Sequence, residues 1–178
     1  MITQYKTHIW SKTEYRNGTI LHAPPSQLAR IDAMQRGFLK ELHISEDDAF
    51  LNFNFAPPVL RRDIGILGLL HKRVLGLAHV SFEELFPFRH DNLMGHDKQI
   101  ETSFHLITCR PALFFRSIFA MAMVYNRLPQ WLIDFKTISS FQANLTGIAK
   151  NRCRLGIDDW QFSFHDCDNV LHYFLDSS

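Results

Sequence analysis

Four sets of residues in this sequence have side chains that could do chemistry. The first is cationic: Arg61, Arg62, Lys72 and Arg73 crowd one short stretch, and Arg30, Arg36 and Lys40 form a second row upstream. Guanidinium and ammonium groups neutralise phosphates without making or breaking a bond. The second set is acidic, Asp47-Asp48 and Asp158-Asp159. Two-metal phosphoryl transfer wants such carboxylates clustered in an apolar strand setting, for example a Tyr-x-Asp-Asp turn. Neither pair sits in one, since the first precedes a helix and the second lies in an amphipathic tail. The third set, Cys153, His165, Cys167 and His172, has the right types for zinc, but its C-x11-H-x-C-x4-H spacing matches no knuckle or finger. The fourth is Asp63 with His71, about two helical turns apart and too distant for an acid/base dyad. Each is expected to be paired in the core or to sit at its edge, because an unpaired buried charge costs several kcal/mol.

Other chemistries lack their frames. There is no G-x-S-x-G, S-x-x-K or papain-like cysteine setting for a nucleophile. No P-loop or G-x-G-x-x-G is present to cradle phosphates. The sequence therefore predicts no catalytic residue, no metal and no cofactor, and points to contact with an anionic partner.

The element that must position the first cationic set runs from Ala49 to Leu77, AFLNFNFAPPVLRRDIGILGLLHKRVLGL. Pro57 and Pro58 open it, and Pro58 suits a first-turn position where the missing N–H costs nothing. At about 100° per residue, Leu60, Ile64, Ile66, Leu67, Leu70, Val74, Leu75 and Leu77 gather on one arc. The opposite arc holds Arg61, Gly65, Gly68, Lys72 and Gly76, with Arg62 and Arg73 at its edge. The pattern predicts a helix with one buried side and a glycine-flattened cationic strip facing out, although the glycines would equally admit a neighbouring helix.

The second row requires an earlier helix. Pro24, Pro25 and Ser26 begin it, and Leu28, Ile31, Met34, Phe38, Leu39 and Leu42 recur on one face to about His43. Arg30, Arg36 and Lys40 occupy its reverse, where three cations also suit plain solvation. Ser45 with Asp48 resembles a capping box for a short helix through Phe50 or Leu51. Upstream, residues 1–23 read as extended, with THIW and GTIL as short β-prone pieces around an Asn17-Gly18 turn.

Downstream, Ser81-Phe-Glu-Glu84 reads as a capping box for a helix ending near Pro87. FRHDNLMGHDKQ is loop-like, and QIETSFHLIT alternates enough for an extended segment. Pro111 opens ALFFRSIFAMAMVYN, apolar nearly all round and so deeply buried. Pro129 ends it and can start QWLIDF. Thr137 is the candidate N-cap of ISSFQANLTGIAKNRC. The fold class is thus mainly α: an irregular multi-helix bundle with a short N-terminal extended or hairpin segment and one short strand pair.

The bulk properties agree. With 178 residues, 46% hydrophobic and 21% charged, the chain is too apolar for disorder and long enough for one core. Its net charge of +1 provides no global attraction for anions, so local patches must supply any binding. Cys109, Cys153 and Cys167 are odd in number and irregular in spacing, and no secretory h-region precedes them, which suits a reducing intracellular setting, cytoplasm or nucleus. The longest apolar runs, Ile64 to Leu70 and Ile118 to Tyr125, fall short of the roughly 18 to 20 residues of a membrane span.

Glu14-Tyr15-Arg16, Leu21-His22-Ala23, LARIDAMQRGFLKEL, LNFNFAPPVLRRDIGILGLLHKRVLGL, VYNRLPQ, FQANL and DDWQFSF, taken in this order, resemble the region C-terminal to the palm in reverse transcriptases of non-LTR, LINE-like retrotransposons of the jockey-like kind. The APPVLRRDIGILGLLHKRVLG block and VYNRLP are the sharpest pieces. The resemblance runs from about residue 10 to residue 165. It implies a thumb and connector region that holds a primer-template duplex, RNA–DNA or DNA, beside the palm. Arg61, Arg62, Lys72 and Arg73 would then contact the backbone, with Arg30, Arg36 and Lys40 behind them. It further implies a single unit in which residues 1–23 are the tail of an absent upstream polymerase domain. Residues 24–88 would be the basic thumb-like helices, 89–110 a linker and 111–178 a C-terminal helical part. The Tyr-x-Asp-Asp turn, fingers, palm and endonuclease are missing, so the chain is expected to be a non-catalytic fragment. A stand-alone helical module that binds another protein is the alternative, and a metal-assisted hydrolase built on the C-terminal Cys/His set is a third.

Overall fold

The structure is a computed structural model that describes residues 1–10, 23–88, 97–101, 118–167 and 170. Eight α-helices account for most of these residues, without a sheet among them. They are α1 (Ile2–Tyr5, continuing as a π-helical turn Lys6–Trp10), α2 (Pro25–Glu41), α3 (Glu46–Phe53), α4 (Pro58–Val74), α5 (Val80–Leu85), α6 (Ile118–Tyr125), α7 (Gln130–Ile133) and α8 (Ile138–Arg154). A 3-10 turn, Trp160–Phe162, follows. None of the described helices is long and apolar enough to cross a membrane.

Local chemistry sets most helix starts. Pro25 and Pro58 stand in the first turns of α2 and α4, and Pro129 precedes α7. The Ser45 hydroxyl accepts from the Asp48 amide at 3.0 Å and donates to its carboxylate at 2.7 Å, capping α3. Thr137 caps α8 by accepting from the Ser140 amide. At α5 the cap is not Ser81: the His79 imidazole accepts from the Ser81 amide, and the helix begins earlier, at Val80. The imidazole reaches the free amide two residues on, so the serine is left inside the helix.

Two expectations of extended structure are corrected. Residues 2–10 are helical because Ile2, Tyr5 and Trp10 pack on Phe38, Leu39 and Phe55, and tertiary contact outweighs the weak β preference of THIW. GTIL and the Asn17-Gly18 turn lie outside the described residues. The expected strand pair reduces to one antiparallel bridge, Phe88 to Ile100, residues 102–108 of QIETSFHLIT being outside the described residues.

The main core is built around α4, against which α8, α6, α2 and the 3-10 turn all pack. Leu60, Ile66, Leu67 and Leu70 are almost wholly buried there, with Tyr125, Phe141 and Leu145 as neighbours. A second, smaller cluster of Leu39, Ala49 and Phe55 lies under α1.

Candidate nucleic-acid interface

Being wrapped on several sides, α4 does not offer its cations as an outward strip. Arg62 is buried and forms a two-pronged pair with the Asp32 carboxylate on α2, at 2.9 and 3.1 Å. Arg73 is buried too: its Nε donates to Phe86 O at 3.1 Å, its guanidinium lies 4.1 Å from the Phe88 ring centre, and Glu83 is 3.7 Å away. The expectation that these two arginines face a partner is therefore corrected. Each sits at the edge of the apolar arc, where α2 and α5 close over it. Arg61 is half-buried, donating to Gln35 and to Ala56 O while stacking 3.9 Å from the Trp10 ring centre. Of the four, Lys72 alone is exposed.

Two glycines of the same arc have distinct local roles. A Cβ on buried Gly68 would stand 2.2 Å from the Gln142 side chain of α8, so the missing side chain makes room for the amide that donates to Ile64 O. Gly76, at φ +68, ends the helix in the left-handed region.

The second row is where charge reaches solvent. Arg30, Arg36 and Lys40 are all exposed on α2. Between them on the wheel lie Ala29, Ala33 and Gly37, exposed as well, and Gly37 has nothing within 4 Å of a Cβ position. These six residues span about 120° of one helix face, and Arg30 and Lys40 are about 15 Å apart along the axis. Over that rise a duplex carries roughly nine phosphate charges. Glu41 and Met34 border the strip, Met34 being exposed rather than in the core.

The remaining candidate groups are engaged inside the fold. The His71 Nε2–H donates to Phe135 O and its Nδ1 accepts from the Tyr125 hydroxyl, both at 2.9 Å, because a carbonyl can only accept. Burial pushes the Tyr125 phenol up, keeping its proton. Asp63, fully buried, accepts from His165 Nδ1 at 3.2 Å. Burial raises the Asp63 carboxyl, and the hydrogen bond to Asp63 raises His165, so the pair holds a proton between them. Asp63 and His71 thus each have a partner within the fold, as the sequence suggested, and do not pair with each other.

Asp47 accepts from the Trp160 indole at 3.0 Å, Asp48 accepts from the capping Ser45 hydroxyl at 2.7 Å, and Asp159 faces Arg152 at 3.6 Å. Cys153 is buried, which raises its thiol to about 11, while His172 lies outside the described residues. Among the described residues no three His, Cys, Asp or Glu side chains come together as a metal site. A cleft of about 100 Å³ opens between α2 and the 3-10 turn, lined by Asp32, Gln35, Arg36, Glu46, Gln161 and Phe162 among others. Its polar groups largely satisfy neighbours already: Asp32 holds Arg62, Gln35 holds Arg61, and Glu46 holds Gln161.

No family model, curated protein or solved structure matches the chain.

Proposed function

We propose that the chain is a non-catalytic helical region of the kind that follows the palm in a non-LTR retrotransposon RNA-directed DNA polymerase, and that it grips a primer-template backbone through the outer face of α2. The ordered resemblance over LARIDAMQRGFLKEL, APPVLRRDIGILGLLHKRVLG and VYNRLP supports the class. The exposed Arg30, Arg36 and Lys40, separated by Ala29, Ala33 and Gly37, support the contact. That strip is the observation that carries the proposal. Small side chains let the helix approach a sugar-phosphate chain while the cations reach around it, and Lys72 on α4 adds a further exposed charge. Arg62 and Arg73 hold helices together instead of meeting the duplex. The test is affinity for an RNA–DNA duplex across a salt series, with Arg30, Arg36 and Lys40 changed together to alanine: binding should weaken by about tenfold or more at low salt, and unchanged affinity would remove the mechanism.

A protein-binding module is the second reading, favoured by exposed Leu77, Val80, Leu85 and Phe88 in and around α5. It predicts that charging Leu85 reduces self-association or partner capture while duplex affinity stays the same.

A further inference from the structure

Two side-chain amides at the corner between α6 and α7 hold the main chain of a distant, non-helical segment, residues 97–101. Asn126, just past α6, accepts from Ile100 N at 2.8 Å and donates to Ile100 O at 2.7 Å. Gln130, the first residue of α7, accepts from Asp97 N at 3.0 Å and donates to the Asp97 carboxylate at 2.9 Å. The Asp134 carboxylate, one turn on, also accepts from Gln130 Nε2 at 2.9 Å, which fixes the way that amide points. On the segment's other side, Glu101 N donates to Pro87 O at 2.7 Å and Phe88 bridges Ile100.

Both amides belong to VYNRLPQ, a stretch for which the duplex contact has no use. Main-chain N–H and C=O groups inside a fold are normally paired by a neighbouring helix or strand. Here side chains stand in for a strand, so the backbone is read first. Selectivity enters at two places: the Asp97 carboxylate on Gln130, and the Ile100 side chain, wholly buried in the main core. The segment is otherwise lightly held, since Asp97 and Glu101 are exposed and Ile100 is its one apolar residue. Pieces of chain with so few apolar contacts open at a small part of the global unfolding free energy.

We propose that Asn126 and Gln130 form a clamp for a strand-like peptide of the pattern Asp-x-x-Ile, which the chain fills with its own residues 97–101 and which the same pattern in a partner protein fills when that segment is displaced. The resident segment is a tethered competitor, at an effective concentration on the order of millimolar. The clamp uses none of the α2 cations, so it stands whether or not the duplex contact does.

The test is titration of the full chain with the capped peptide Asp-Lys-Gln-Ile-Glu, read from the side-chain amide resonances of Gln130. Ile100→Ala removes the anchor of the resident segment and should tighten peptide binding at least tenfold over the natural chain. Ile100→Val removes less, so its gain should be smaller, and it carries the test if the alanine chain loses its helical circular dichroism. Adding Asn126→Asp, which keeps the shape but cannot donate to a main-chain carbonyl, should abolish the gain. A peptide with alanine in place of isoleucine should bind at least tenfold more weakly. Equal peptide affinity in the natural and Ile100-substituted chains, a gain that survives Asn126→Asp, or equal binding of the two peptides would overturn the proposal.

Discussion

The two margins of this bundle are fastened by opposite charges. Around α1, Lys6 and Arg61 donate to the carbonyls of Phe53, Asn54 and Ala56 and lie against the rings of Trp10 and Phe55. Around the 3-10 turn, carboxylates do the holding: Asp47 accepts from Trp160, Glu46 from Gln161 and Asp63 from His165. The second margin includes a proton-sharing pair in its fastening, so it should respond to pH. Burial differs as well, since Trp160 is 2% exposed and stacks on Phe50 at 4.8 Å with 4° between the planes. Trp10 is only partly buried, and its indole nitrogen has no hydrogen-bond partner.

That contrast can be broken first by tryptophan deletion. Trp160→Ala should cost about 3–5 kcal/mol in urea unfolding, through lost packing and a stranded Asp47. Trp10→Ala should cost about 1–2 kcal/mol, since less area is removed from the core. Equal losses would mean that the margins are held alike.

A smaller effect is expected at Gly68. Gly68→Leu puts a side chain where Gln142 lies and should displace its amide from Ile64 O and overpack the seam, costing about 1–3 kcal/mol, whereas Gly37→Leu on the open face of α2 should be close to neutral. A tolerated leucine at position 68 would show that helix packing does not need the glycine.

The pH response sharpens the comparison further. A histidine raised above its ordinary 6.5 contributes stability that is complete below that value and is lost as pH climbs through the folded one. The raised Asp63 acts with the same sign, its burial favouring the protonated form from about 3.8 upward. Arg62 and Asp166 act on both groups and oppose one another in sign. Stability should therefore fall as pH rises above about 6.5, and His165→Gln should flatten that slope, as read from urea midpoints between pH 6 and 9. His165 is 42% exposed at its side chain, so solvent screening keeps this effect below the tryptophan loss. A slope that persists in His165→Gln would place the titrating group elsewhere.

What the sequence made legible was local. Ser45 and Thr137 accept from amides in their own first turns, and Pro25, Pro58 and Pro129 fix the backbone where a helix begins, so their spacing was enough to place α2, α3, α4, α7 and α8. The apolar arc of α4 was equally readable from Leu60 to Val74. Its far side was not, because a wheel distinguishes polar from apolar and says nothing of how many neighbours a helix has. Arg62 finds Asp32 across 30 residues and Asp63 finds His165 across 102, distances over which no pattern operates. The helical N-terminus was missed for the same reason, since its folding partners Phe38 and Phe55 lie far along the chain. The outer face of α2, by contrast, is readable in the sequence as a second cationic row, and in the structure its charges alone among the two rows are all exposed.

The central claim is that α2, and not the buried arginines of α4, meets the nucleic-acid backbone. The most direct measurement is the slope of log affinity against log salt concentration for an RNA–DNA duplex. Changing Arg30, Arg36 and Lys40 together to glutamine should reduce that slope by about 2.7, since each lost phosphate contact removes about 0.9. An unchanged slope in the triple variant would contradict the account.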